Sequence, residues 1–268
     1  MILSSIVGLG NGQAIMIREE RFERIKSELA RKGSVDGDEL ATLLKTSRAT
    51  IRRDLDAMQD RGILRRTHGG ATTNDARDEL PFQSKLAAYL PEKRAIAVCT
   101  ASLIKDGQVI GCTGGTTIAQ VIKALKEKRV TVVTNAINIA MELAAAESVE
   151  VIVTGGTLRT RSYELVGHIA ERTIQDFHLD VALIGVDGLD FTHGLSTFTA
   201  AEAHAASLYI DHAREVWVVA DHSKIGKTAP ALIAPLSRVN RVITDANVPR
   251  DLIEAFVHAG LDLTIAPL

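Results

Sequence analysis

Seven short runs rich in valine and isoleucine recur beyond about residue 82: QVIGC, VTVVT, VEVIVTGG, VALIGVDG, VWVVADHS, RVITD and DLTIAP. Helical stretches such as TTIAQVIKALKEK and AINIAMELAAAE separate several of them. Continuous apolar runs, as opposed to alternating ones, predict strands buried on both faces, and hence a parallel sheet covered by helices. Glycine and polar residues follow the strands repeatedly, in GCTGGTT, VTN, VTGGT, GVDG and ADHSK. In open α/β sheets a ligand sits beyond the carboxyl ends of the strands, which places the candidate site there.

The first 71 residues have another texture. Phe22, Ile25 and Leu29 stand at helical spacing and Gly33 ends the pattern. Val35 is a short apolar anchor. Asp36 can cap a second helix, with Glu39 completing a capping box and Leu40, Leu43 and Leu44 forming its apolar face. Ser47 reads as the cap of a third helix that buries Ile51, Leu55 and Met58 and stops at Gly62. ILRRTHGGA then reads as a short basic hairpin. Three short helices and a basic hairpin make a winged helix-turn-helix.

Charge supports that reading. Residues 45–71 hold seven Lys/Arg against three Asp, a net +4, whereas the whole chain of 268 residues carries −2. A basic window on an otherwise acidic chain is the footprint of a nucleic-acid contact. The start of the second motif helix meets base edges in such folds. Ser47 and Thr50 suit phosphates. Arg48 and Arg52, on one face away from the apolar stripe, suit guanine edges, together with Arg53. Arg65, Arg66 and His68 on the wing can neutralise backbone charge.

VDGDELATLLKTSRATIRRDLDAMQDRGILRRTHGGA closely resembles the N-terminal signature of the DeoR family of bacterial transcriptional regulators. The resemblance covers about residues 18–246. It implies an α/β chain: an N-terminal winged helix-turn-helix, then a parallel-sheet sensor domain resembling ribose-5-phosphate isomerase in fold. It also implies a repressor of carbohydrate genes that is relieved by a phosphorylated sugar. Asp54 belongs to the family motif. A carboxylate would repel phosphates, so Asp54 is expected to position Arg53 or another neighbouring base.

In the sensor part, Gly114, Gly115, Thr116 and Thr117 form a turn from strand to helix. The helix-start N–H groups and threonine hydroxyls there suit a phosphate. Sensor domains of the resembled family use the matching turn for the sugar's phosphate. They usually carry an aspartate just before it, where this chain has Thr113, a departure that bears on which effector fits. Further candidates follow the other strands: Asn135, Gly156, Asp187 and Lys224; Glu202, on the helix that HGLSTFTAAEA enters, could complete the pocket.

Other chemistries find less support. The Gly114–Thr117 turn is not followed by Gly-Lys-Ser/Thr, and no complete Gly-x-x-x-x-Gly-Lys-Ser/Thr loop, Gly-x-Gly-x-x-Gly turn, His-Glu-x-x-His or Gly-x-Ser-x-Gly occurs, so no metal or cofactor is expected. The alternative is a sugar-phosphate isomerase fused to a DNA-binding domain. The isomerases this fold resembles keep an essential lysine in a glycine-rich segment. The matching segment here is DFTHGLSTFTAAEA, and no lysine occurs between Lys128 and Lys224. A binding module is the favoured reading. The expected organisation is an N-terminal extension at 1–17, a DNA-binding domain at 18–71, a linker at 72–81 and a sensor domain at 82–268. Met16, directly before the first charged helix, is an alternative start. Two cysteines and no apolar run of membrane length point to a cytoplasmic protein. Its expected partners are double-stranded operator DNA, a phosphorylated sugar and a second copy of itself.

Overall fold

The computed structural model describes residues 17–60, 63–73 and 79–268, which form two compact units meeting in sequence at Asn74 and Asp75. Residues 1–16 of the expected N-terminal extension, with the alternative start Met16, Arg61, the expected helix stop Gly62 and residues 74–78 of the expected linker lie outside the described residues.

The first unit runs α1 (Arg18–Lys32), β1 (Ser34–Asp36), α2 (Gly37–Leu43), α3 (Arg48–Asp60), β2 (Leu64–Arg66) and β3 (Gly70–Thr73). Gly33 ends α1 in the left-handed region at φ 74°, and its N–H returns to the Leu29 carbonyl at 2.8 Å. Asp36 caps α2 by accepting from the N–H groups of Asp38 and Glu39. The expected box is half made, because the Glu39 carboxylate turns to the Lys32 ammonium, 3.0 Å away. Ser47 caps α3 through the Thr50 N–H at 3.1 Å.

One core joins Phe22, Ile25, Leu29, Val35, Leu40, Leu44, Ile51, Leu55, Met58, Leu64 and Ala71. Leu43 is a correction: it is 53% exposed. It ends a helix of only two turns, and Leu44 takes the inward place as the chain leaves it. Val35 also does more than anchor. Its strand β1 pairs with β3, so the wing is a three-stranded antiparallel sheet in the order β1-β3-β2. A Cβ on Gly70 would fall 1.9 Å from the Val35 carbonyl oxygen, so that close pairing requires glycine there. The wing strand extends to Thr73, into the stretch read as linker.

The second unit continues α4 (Phe82–Leu86), α5 (Leu90–Leu103), β4 (Val109–Cys112), α6 (Thr116–Ala124), β5 (Val130–Thr134), α7 (Ile137–Leu143) and β6 (Val149–Val153). Next come the hairpin β7 (Thr157–Arg159) and β8 (Glu164–Val166), then α8 (His168–Gln175), β9 (Leu179–Ile184), β10 (Gly188–Asp190), β11 (Gly194–Thr197) and α9 (Ala200–Asp211). The chain ends with β12 (Ala213–Val219), β13 (Ala231–Ala234), β14 (Arg241–Asp245), α10 (Arg250–His258) and β15 (Asp262–Ala266).

The seven valine-rich runs form one parallel sheet in the order β15-β14-β12-β9-β4-β5-β6. Side chains alternate between two cores. Val181 and Leu183 of β9 face the core containing α5, α6 and α7, whereas Ala182 and Ile184 face the one containing α8, α9 and α10. The smaller sheet β10-β11-β13 and the β7-β8 hairpin are antiparallel additions beside the main sheet.

Candidate functional sites

In the first unit, α3 turns Ile51, Leu55 and Met58 inward and leaves Ser47, Arg48, Arg52 and Arg53 exposed, with Thr50 partly covered. Arg65 and His68 are exposed on the wing, and Arg66 is partly covered. A cleft of about 300 Å³ between α3 and the wing is lined by Arg48, Arg52, Arg66 and His68, so the fold gathers four of the predicted residues. Ser47 and Thr50 share a hydrogen bond at the helix start, Oγ to Oγ1 at 2.9 Å. Arg48, 76% exposed, pairs with Asp38, and Arg66 lies 3.6 Å from Asp56. Exposed pairs of this kind are weak and exchange readily for a stronger anion.

Asp54 is buried and holds a base, but a different one from Arg53. Arg21 of α1 donates to it through Nε at 2.6 Å and Nη2 at 3.2 Å, and Arg18 lies 3.6 Å away. The spacing along α3 places Asp54 on the inner face, whereas Arg53 points outward.

In the second unit a pocket opens at the carboxyl ends of β4 and β9. It is lined by Gly114, Gly115, Thr116, Thr117, Asp187, Glu202 and Lys224, all anticipated from the sequence. Gly115 adopts φ 115° and starts α6, and no side chain caps that start. The first-turn N–H groups of a helix have no intrahelical partners and carry positive partial charge. Beyond them, Asp187 receives Lys85 at 3.3 Å, Lys224 at 3.4 Å and the Thr197 hydroxyl at 3.2 Å. Burial pushes the Asp187 carboxyl up, but the two lysines outweigh it and hold the group below its ordinary range. Glu202 accepts from the Thr199 hydroxyl at 2.8 Å and from Arg159 at 2.9 Å.

Two anticipated residues stand outside the pocket lining. Asn135 is buried behind it and donates to Glu164 at 3.4 Å and to the Leu165 carbonyl at 3.1 Å. Gly156 lies in the β6-β7 turn at φ 128°, where a Cβ would meet the Val166 carbonyl oxygen at 2.7 Å, so its role there is conformational. Thr113, at the position of the family aspartate, turns inward. Its hydroxyl accepts from the Gly185 N–H at 3.0 Å and ties β4 to β9.

Sequence reasoning missed Glu164, Lys85, Glu79 and Arg159. Glu164 reaches under the glycine turn from β8 and accepts the Gly114 N–H at 2.8 Å. A Cβ on Gly114 would lie 2.3 Å from its Oε1, so the turn needs glycine because a carboxyl fills the space. Burial, with Glu202 nearby, raises the Glu164 carboxyl to about 8. Lys85 and Glu79 precede the sheet, and Arg159 and Glu164 sit on the short hairpin. None lies at a strand end of the parallel sheet, where ligand contacts gather in open α/β folds.

The chain matches the DeoR-like helix-turn-helix domain over residues 21–77 and the DeoR C terminal sensor domain over residues 89–246. It is 35% identical over 249 residues to the HTH-type transcriptional regulator GlpR of Haloferax volcanii, covering 92% of this chain and 97% of that protein. It is 32% identical to the HTH-type transcriptional repressor CsqR of Escherichia coli K12, over 91% of this chain and 94% of that one. It is 30% identical to the glycerol-3-phosphate regulon repressor of the same strain, over 93% and 100%. A ribose 5-phosphate isomerase A structure from Methanocaldococcus jannaschii aligns at a TM-score of 0.40 and 21% identity, over 52% of this chain and 55% of that one. No helix among the described residues is long and apolar enough to cross a membrane. The chain belongs to the DeoR family of transcriptional regulators, with a helix-turn-helix DNA-binding domain and a C-terminal sensor domain.

Proposed function

We propose that this chain represses carbohydrate-metabolism genes and releases its operator when a phosphorylated sugar fills the sensor pocket. The observation that carries this reading is the pairing of the uncapped α6 start with Lys85 and Lys224 in one pocket. A helix start and two ammonium groups together favour a doubly charged anion. Asp187, Glu202 and Thr197 beside them offer acceptors and a hydroxyl for the hydroxyl groups of a sugar. Ser47, Arg48, Thr50, Arg52, Arg53, Arg65, Arg66 and His68 are the DNA-contacting set. The chain acts in the cytoplasm as a homo-oligomer, at least a dimer, which sets two winged helices on repeated half-sites. The pocket binds and does not catalyse: aldose–ketose isomerisation needs a placed base and enediolate stabilisation, and the lysine expected from the isomerases has no counterpart in 190–203. A thermal-shift screen over sugar phosphates tests the reading. A matching compound at 100 times its Kd stabilises by about 2.7 kcal/mol. Its unphosphorylated sugar should give no shift. Equal shifts from the two would contradict a phosphate site.

A further inference from the structure

One wall of the sensor pocket is built from the segment that leads out of the DNA-binding unit. Glu79, Phe82 and Lys85 all line the pocket, and Glu79 stands only five residues beyond Asn74, the last residue of that unit. The β7-β8 hairpin grips this segment. Arg159 forks onto both Glu79 carboxylate oxygens, Arg161 donates to the Glu79 carbonyl at 2.6 Å, and the Phe82 N–H donates to the Arg161 carbonyl at 2.9 Å. The Phe82 and Tyr163 rings pack at 5.3 Å.

The same hairpin touches the pocket in two other places. Arg159 donates to Glu202, a lining residue, at 2.9 Å. Glu164, at the start of β8, accepts the N–H of Gly114 in the glycine turn. Arg159 is itself outside the lining. It lies behind two carboxylates that the pocket exposes, one on the segment and one on α9. A charge-assisted fork of this kind fixes geometry as well as charge.

We propose that Arg159 is a positioning residue that couples occupancy of the sensor pocket to the 79–86 segment, and that the β7-β8 hairpin is the element through which an anionic ligand acts on that segment. The proposal rests on the phosphate reading of the pocket. An anion at the α6 start draws Lys85 toward it and tightens the segment against the hairpin. Coupling then requires that the ligand favour one arrangement of the segment over the other.

Hydrogen exchange on the full chain, with inorganic phosphate as the probe, tests this. Phosphate is raised to about ten times the Kd read from the protection of residues 114–118. In the wild type the Phe82 amide should slow along with the turn, by roughly tenfold at ten times the Kd. Arg159→Met should abolish the Phe82 response and keep the response at 114–118. Arg159→Lys, which keeps the charge without the fork, should fall between. Glu79→Gln reads the same contact from the other side should Arg159→Met fail to fold. Protection at 114–118 without any Phe82 response in the wild type would overturn the coupling and leave the phosphate site standing. A Phe82 response that survives both Arg159→Met and Glu79→Gln would also overturn it. No protection at 114–118 would overturn the site and the coupling together.

Discussion

The Asp54 carboxylate, buried on the inner face of α3, accepts a hydrogen bond from the Arg21 guanidinium of α1 at 2.6 Å. This contact ties α3 to the first helix of its frame. Losing a charge-assisted hydrogen bond of this kind costs about 1.5–3 kcal/mol. Asp54→Ala should therefore speed hydrogen exchange across residues 18–73. Arg53→Ala, on the outer face, should leave exchange unchanged while weakening DNA binding. Equal stability of the two variants would show that the pair has no structural role.

Arg52 is exposed and lines the cleft between α3 and the wing. Arg52→Ala should lower affinity for the chain's own promoter region by roughly 5- to 150-fold, the loss expected of one base-reading arginine. Fluorescence anisotropy with labelled DNA measures it. Unchanged affinity would move the base contacts elsewhere on α3.

The two glycines of the wing turn differ. A Cβ on Gly70 meets the Val35 carbonyl oxygen, whereas one on Gly69 meets a side-chain oxygen of Asp36 at 3.3 Å. Gly70→Ala should break the β1-β3 pairing and lose DNA binding. Gly69→Ala should fold and bind within a few-fold of the wild type. The chemical shifts of Val35 and Ala71 report the pairing.

Glu164 gives the sensor unit a pH dependence of definite sign. Its carboxyl is raised from 4.5 to about 8, so between those values the folded chain holds a proton that the unfolded chain has released. Stability falls as pH rises through that window, because the unfolded state binds fewer protons there. Glu164→Gln, which keeps an acceptor for the Gly114 N–H, should flatten the slope and gain most at the alkaline end. Urea midpoints of the sensor unit from pH 5 to pH 9, followed by Trp217 fluorescence, would show this. A slope unchanged in the variant would assign the effect to another group.

The parallel sheet was legible because its strands are buried on both faces and so read as unbroken Val/Ile runs. The winged helix was legible because its caps, glycine stop and apolar spacing are local signals. The glycine turn with Asp187 and Lys224 followed from the rule that ligands gather at strand ends, and Glu202 from its place on the helix after HGLSTFTAAEA. The other half of the pocket was hidden. Glu164 and Arg159 come from a three-residue-a-side hairpin with mixed burial, too short for any periodicity to stand out. Glu79 lies in the stretch that reads as linker, and Lys85 lies just beyond it, ahead of the first strand run. Asp54 was legible as a charge partner, but its partner 33 residues away on α1 depends on tertiary packing.

A phosphorylated sugar in the pocket formed by the α6 start, Lys85 and Lys224 is expected to weaken operator binding. The direct measurement titrates promoter affinity against the sugar phosphate that stabilises the chain most in the thermal screen. Wild type is compared with the double variant Thr116→Ala, Lys224→Ala. The wild type should release DNA as the sugar phosphate rises, whereas the double variant should bind DNA normally and respond weakly or not at all. A double variant that releases DNA at the same concentration as the wild type would contradict it.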